Sequence, residues 1–294
     1  YYSNKWGRPF LLSRCPEFPN LDNHSPESIG LSAAEFADSL VDVSEEEIKR
    51  NIPFPENRNI KLTGFYQHWK MVEDCKNQLF EVVGIREIRE RVLPVIKSPV
   101  FVSRGLFGSD ENQLTIGLHI RRGDYEQLAC YFLLINEYYY VGALLNIANK
   151  ITQKRINVVC FYEKGTAESA KKIIDALIAD KDLSMFPFEY YHFNDLLQKT
   201  HLQNSFTDIE ELAVISHCDH NIIANSTFSW WAAYIGYNTN PVSEPERSTH
   251  KIICYPDEYF NHQLHYLSNA GLKVDGWTEI KAWNPAERKC SCWW

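Results

Sequence analysis

The strongest constraint on the fold is an alternation that begins at residue 113. Short apolar runs ("LTIGLHI", "RINVVCFYE", "FEYYHF", "HNIIAN" and "HKIICYP") are separated by longer segments. In "INEYYYVGALLNIANKI", "TAESAKKIIDALIAD", "DIEELAVISHC" and "STFSWWAAYIGYN" the apolar residues recur at helical spacing. A nearly continuous apolar run fits a strand buried on both faces, and parallel strands need a crossover about as long as these helices. The pattern therefore predicts βαβ units in an α/β fold, with a Rossmann-like domain over residues 113–275. "HKIICYP" reads as its last strand, and residues 276–294 read as a C-terminal tail.

Residues 1–112 are less regular and read as a separate N-terminal lobe, which a chain of 294 residues can accommodate. Residues 1–30 are irregular and rich in Pro, Asn and Ser. "SAAEFADSLVDVSEEEIKRNI" reads as two short helices, the first capped by Ser32, the second by a capping box of Ser44 and Glu47. "IKLTGFYQHW" reads as a strand, and "GIREIRERVLPVI" as a helix stopped near Pro94.

A formal charge of −8 with no basic block argues against general nucleic-acid binding, so any anion site must be local. No run of about 18 apolar residues is present, so the sequence holds no transmembrane helix. It starts without Met and without a signal-peptide layout, so it reads as the interior of a longer product, from which an upstream anchor or signal could have been lost. Of the eight cysteines, Cys160 and Cys254 sit in apolar runs and read as core residues. Cys15, Cys75, Cys290 and Cys292 lie in polar contexts and are disulfide candidates in a lumenal compartment. Asn23 in "NHS" and Asn225 in "NST" are glycosylation sequons, and Asn225 is expected to be buried and unmodified.

In a sheet of this kind ligands bind beyond the carboxyl ends of the strands, and two of those ends carry chemistry. At "GLHIRRGDYEQ", Arg121 and Arg122 follow an apolar strand and Gly123 lets the chain turn. Guanidinium forks suit phosphate oxygens. Neighbouring residues of an extended chain point to opposite sides, so one arginine can face a ligand while the other braces the site or reaches across a cleft. Asp124 either orients an arginine or accepts hydrogen bonds from a ribose or base. His119 is either a satisfied core histidine or a ligand contact. Read alone, "RGD" is also an adhesion tripeptide, but that role needs an exposed loop tip.

The second end is "HNIIAN-STFSWW". There Asn225, Ser226, Thr227 and Ser229 bring an amide, hydroxyls and free backbone N–H groups to a helix N-terminus, a ready anion site. Trp230 and Trp231 read as packing residues. The two ends together describe a diphosphate pocket that needs no metal; a Walker loop and G-x-G-x-x-G are both absent. "HCDH" at 217–220 has metal-ligand residue types, but it spans a helix end and a strand start, so its side chains should diverge. The tyrosines of "EYYY" read as core. An aromatic content of 14% suits core filling first and sugar stacking second.

"HIRRGDY" followed by "DIEELAVISHCDHNIIANSTFSWWAAYIG" resembles the α-1,2-fucosyltransferases of glycosyltransferase family 11. "LTGFYQHWKMVED" upstream and "IICYPDEYF" and "VDGWTEI" downstream extend the similarity over about residues 60–280. The resemblance implies a GT-B-like fold of two Rossmann-like lobes with the donor site in the cleft. The 1–112 lobe would face the acceptor and the 113–275 lobe would bind GDP-fucose. It implies inverting, metal-independent transfer of L-fucose from GDP-β-L-fucose to a terminal sugar, commonly galactose, in α1,2 linkage, with no cofactor. Arg121 and Arg122 would meet the donor diphosphate, Ser226, Thr227 and Ser229 would form the second donor motif, and Asp208 and Glu211 fall in a stretch usually acidic in the family.

The family's Gly-rich "GGLGNQ-F-Q" turn is missing, which marks the first lobe as incomplete or divergent, and Glu163 is the only acid where paired aspartates are common. Asp124, Asp208 and Glu163 are the candidate bases, alongside a substrate-assisted route. The alternatives are a non-catalytic GDP-sugar- or glycan-binding relative and a fucosyltransferase with another acceptor. The family implies a lumenal Golgi domain for a eukaryotic source and the cytoplasm for a bacterial one.

Overall fold

The computed structural model describes residues 40–44, 59–63, 69–108, 110–152, 155–200, 206–239, 251–261, 264 and 269–283. They fall into two units. One runs to Arg86 and includes Ala270–Lys273; the other starts at Glu87 and omits that segment. The expected lobe boundary at residue 112 falls inside the second unit.

In the first unit, strands β1 (Leu40–Ser44) and β2 (Asn59–Thr63) pair in parallel, from Leu40 opposite Asn59 to Ser44 opposite Thr63. This corrects the reading of two short helices. "LVDVS" alternates β-branched valines with polar residues, and a parallel partner satisfies its backbone, which outweighs the capping signal at Ser44. The remainder of 32–52, residues 1–30, and Cys15, Cys290 and Cys292 lie outside the described residues. Strand β2 is the strand expected in "IKLTGFYQHW", but it ends at Thr63, and Trp69 already opens α1 (Trp69–Glu73). Helix α2 (Lys76–Val83) follows in this unit, α3 (Ile85–Arg91) spans the boundary at Arg86, and α4 (Leu93–Ile96) and α5 (Pro99–Val102) belong to the second unit. Helix α3 stops at Arg91, near Pro94 as expected, and Pro94 then helps to start a separate helix. The proline lies in the first turn of α4, where a missing N–H costs little.

The second unit is built on six parallel strands: β3 (Gln113–His119), β4 (Arg155–Phe161), β5 (Phe188–His192), β6 (His220–Ile222), β7 (Ile253–Pro256) and β8 (Thr278–Ile280). Their order is β5-β4-β3-β6-β7-β8, so the chain builds outward from β3 in one direction and then from β6 in the other. The pairing of β3 with β6 is therefore the topological switch point, where open α/β sheets bind ligands. The strand at Ile253–Pro256 is not the last. Strand β8 pairs with it from inside the stretch expected to be a tail, and its three residues are too few to show a period.

The connecting helices are α6 (Asp124–Gln127), α7 (Glu137–Ala148), α8 (Ala167–Ala179), α9 (Phe193–Leu197), α10 (Asp208–His217) and α11 (Thr227–Thr239). Two of the three tyrosines of "EYYY" are core, as expected, whereas Tyr138 is exposed. Tyr139 and Tyr140 are fully buried. The Tyr139 hydroxyl donates to the Ile223 and Cys254 carbonyls and that of Tyr140 to the His119 carbonyl, so these helix side chains fasten α7 to the strand ends. Cys160, Cys218 and Cys254 are buried free thiols. Trp230 is buried and packs against Trp277 at 5.8 Å, which helps to seat α11 on the unit. Among the described residues no helix is long and apolar enough to cross a membrane.

Candidate functional site

Both chemically loaded stretches lie at the switch point. Strand β3 delivers residues 119–124, and Leu118 opposite Ile222 sets the end of β6 beside it, which delivers Asn225 and the start of α11. The β3 end turns at Gly123, whose φ of 71° and ψ of −118° suit glycine alone, and a Cβ there would stand 2.7 Å from a Glu163 carboxylate oxygen.

The two arginines divide their work. Arg122 is buried; its Nη2 donates to the Ile135 carbonyl at 2.7 Å and its Nη1 to the Arg121 carbonyl at 3.3 Å. It braces the loop before α7. This burial also rules out adhesion through "RGD", which needs all three residues at a tip. Arg121 stays partly open. Its Nη2 pairs with Asp124 at 2.5 Å, its Nη1 lies 3.7 Å from Glu163, and its guanidinium covers the Tyr125 ring at 4.9 Å. Its Nε is buried with no hydrogen-bond partner among the described residues. Asp124 and Glu163 are both more than half exposed, so these pairs are worth at most about 1 kcal/mol and yield readily to an incoming polyanion. Asp124 is thus a counter-ion of Arg121.

His119 is a core histidine, though not a satisfied one. It is buried and tilted against Phe228 at 5.5 Å, and its Nδ1 has no partner among the described residues. Burial, reinforced by the Arg121 charge, pushes the imidazole down to about 3, so it is neutral beside the arginine.

At the β6 end Asn225 is a strut. Its Nδ2 donates to the Leu133 carbonyl at 2.8 Å and the Tyr259 carbonyl at 2.9 Å. Ser229 is buried and donates to the Ser226 carbonyl at 3.2 Å, so it belongs to the helix rather than to a ligand. The Ser226 and Thr227 side chains make no hydrogen bond among the described residues. With the first-turn amides of α11 they form the donor-rich face.

The N-terminus of α10 lies at the same end of the sheet, because the helix runs back antiparallel into β6. Thr207 and Glu210 close a reciprocal capping box there. Asp208, exposed, and Glu211, partly buried, fall three residues apart on one side of the helix. Burial first, then the Asp208 charge, pushes the Glu211 carboxyl up to about 7, with Lys164 pulling the other way. Sequence reasoning misses two contributors: Tyr125 and the titration of Glu211. The i, i+3 spacing of Asp208 and Glu211 ahead of the apolar run "LAVI" is the available signal for the second.

The "HCDH" side chains do diverge. His217 faces Arg89, the Cys218 thiol lies 3.8 Å from the Val214 carbonyl, and His220 Nδ1 accepts from the Ile252 amide at 3.0 Å. Among the described residues no group of three or more His, Cys, Asp or Glu gathers as a metal site would require.

A family model for glycosyl transferase family 11 matches residues 63–242, a span that includes both strand ends and the α10 carboxylates. The chain belongs to glycosyl transferase family 11. Comparison with curated proteins and with solved structures returned no match. Within the family 11 match, Arg121 and the first turn of α11 carry the uncommitted donors, while Arg122, Asn225 and Ser229 are engaged in hydrogen bonds to backbone carbonyls.

Proposed function

We propose that this chain transfers L-fucose from GDP-β-L-fucose to a hydroxyl of a terminal galactoside, with inversion to an α1,2 link and without a metal ion. The observation that carries the reading is Arg121: a partly open guanidinium with an unpartnered Nε, at the switch point, beside a helix start whose Ser226 and Thr227 side chains are uncommitted. Family 11 membership supports a glycosyl donor as the anion. The same reading makes the sheet unit the donor lobe of a GT-B architecture.

Arg121 and the α11 amides receive the diphosphate. As the bond from fucose C1 to the β-phosphate oxygen breaks, negative charge collects on the leaving GDP, where these fixed donors stabilise it. The acceptor oxygen attacks the opposite face of C1 and loses its proton. Glu211 is the base in this reading, because a carboxyl that titrates near neutrality can take that proton without being held ionised by a cation. A base must be deprotonated to act, so the rate should rise with pH through about 7. Glu211→Gln should lower kcat roughly 10²–10⁴-fold and abolish that limb. An unchanged pH profile in this variant would remove Glu211 from the mechanism.

The direct test incubates the chain with GDP-fucose and a β-galactoside in EDTA, following GDP release and fucosylated product, with calorimetry of GDP-fucose alongside. Product in EDTA is expected. Binding without product would instead favour a non-catalytic GDP-sugar-binding relative, and absence of both would overturn the reading.

A further inference from the structure

Arg121 is the group on which the proposed donor site turns, yet little of what touches it can hold it still. Its two carboxylate partners are exposed and screened by water. The rigid element is Tyr125. Gly123 reverses the chain, so the Tyr125 ring returns beneath the Arg121 guanidinium, 4.9 Å from it. The ring stacks on Phe132 at 4.4 Å with 13° between planes, and Phe132 is tied to Phe260 by an antiparallel bridge. The Tyr125 hydroxyl donates to the Asn225 carbonyl at 3.0 Å. Asn225 is itself pinned through its amide to Leu133 and Tyr259, and it immediately precedes Ser226.

We propose that Tyr125 is a positioning residue: its ring is the platform for the Arg121 guanidinium, and its hydroxyl fixes that platform to the Asn225 turn. One side chain thereby sets the spacing between the arginine and the Ser226–Thr227 helix start. A polyanion that bridges the two halves of the switch point then meets them already at the right separation, which lowers the ordering cost of binding. The proposal rests on the reading of Arg121 as the donor-phosphate ligand.

The test uses the full chain, GDP as probe, and a cycle of Tyr125→Leu, Tyr125→Phe and Arg121→Ala. Removing a cation–π platform and its anchor should weaken GDP binding about tenfold in Tyr125→Leu, whereas Tyr125→Phe, which keeps the ring, should lose about threefold. In the Arg121→Ala background both losses should vanish, because the tyrosine acts only through the arginine. Equal losses in both backgrounds would mean a merely structural role and would overturn the proposal, as would no loss in either.

A ligand-free arm reads the order parameter of the Arg121 Nε–Hε bond by NMR, expected to fall in Tyr125→Leu and to hold in Tyr125→Phe. Should the wild-type chain bind no GDP while this signal still loosens, the donor reading fails and the positioning role stands. An unchanged signal removes the positioning role whatever GDP does. Thermal melting checks that each variant folds. If Tyr125→Leu does not, Tyr125→Met replaces it with the same expectations.

Discussion

Arg121→Ala should reduce fucose transfer roughly 10²–10³-fold, the usual cost of deleting one preorganised donor to a developing anion. GDP affinity should fall with it, since in the proposed mechanism the same fork meets the diphosphate before and after the bond breaks. The melting temperature should barely move, because the guanidinium rests on an exposed pair with Asp124, a longer one with Glu163 and the face of Tyr125. Arg122→Ala should show the opposite pattern. It leaves the buried Ile135 carbonyl without its donor, a defect worth about 1–3 kcal/mol, and releases the loop before α7. The paired measurement is kcat, GDP Kd and Tm on both variants. Wild-type turnover in Arg121→Ala would end the assignment of the phosphate site to this strand end. Arg121→Lys keeps the charge but loses the planar fork, so it should recover only part of the rate.

The contrast between these two arginines marks the limit of what is legible in the sequence. Period and spacing place "RR" at the end of a buried strand, and alternation along an extended chain says that the two point apart. Which one points inward depends on what lies across from it. The Ile135 carbonyl that holds Arg122 is thirteen residues away, in a loop with no pattern of its own. Tyr125 is similar. Its meaning comes from Asn225, a hundred residues on, and the strand pairing that brings them together is not written in either segment. Asp208 and Glu211 are visible as acids, but the upward push on Glu211 comes from burial, which only tertiary packing sets.

The central strands are legible because they are apolar runs separated by helices of ordinary length. Leu40–Ser44 is not. Serines and glutamates near it mimic helix caps, and the partner that makes it a strand begins only at Asn59. Strand β8 escapes a reading by pattern because "TEI" is too short to carry a period.

A large effect on stability should come from Gly236→Ala, at the far end of the helix whose first turn belongs to the proposed anion site. Helix propensity alone favours alanine over glycine by about 1 kcal/mol in a helix interior. Packing reverses that sign. A Cβ on Gly236 would stand 2.4 Å from the Ser216 carbonyl oxygen and 2.5 Å from Lys251 Nζ. The lysine end can swing aside, but the carbonyl is backbone in the last turn of α10. It already accepts from Lys251 Nζ at 3.2 Å and Arg89 Nη1 at 3.3 Å, and Arg89 also holds the Ser216 hydroxyl at 2.8 Å. These cations meet the negative end of the α10 dipole. Burial pushes the Lys251 ammonium down to about 8, so the cluster has little further desolvation to spare. The added methyl group must therefore push α11 away from α10, at an overpacking cost of about 1–3 kcal/mol or more. The expected result is a lower urea midpoint with an unchanged m-value, and a larger drop for Gly236→Val. A neutral or stabilising alanine would mean that the two helices are not in contact here. Because α11 moves as a rod, the same substitution should also shift Ser226 and Thr227 relative to Arg121. GDP affinity in the folded fraction should then fall, although Gly236 lies more than two helical turns from the first residue of α11.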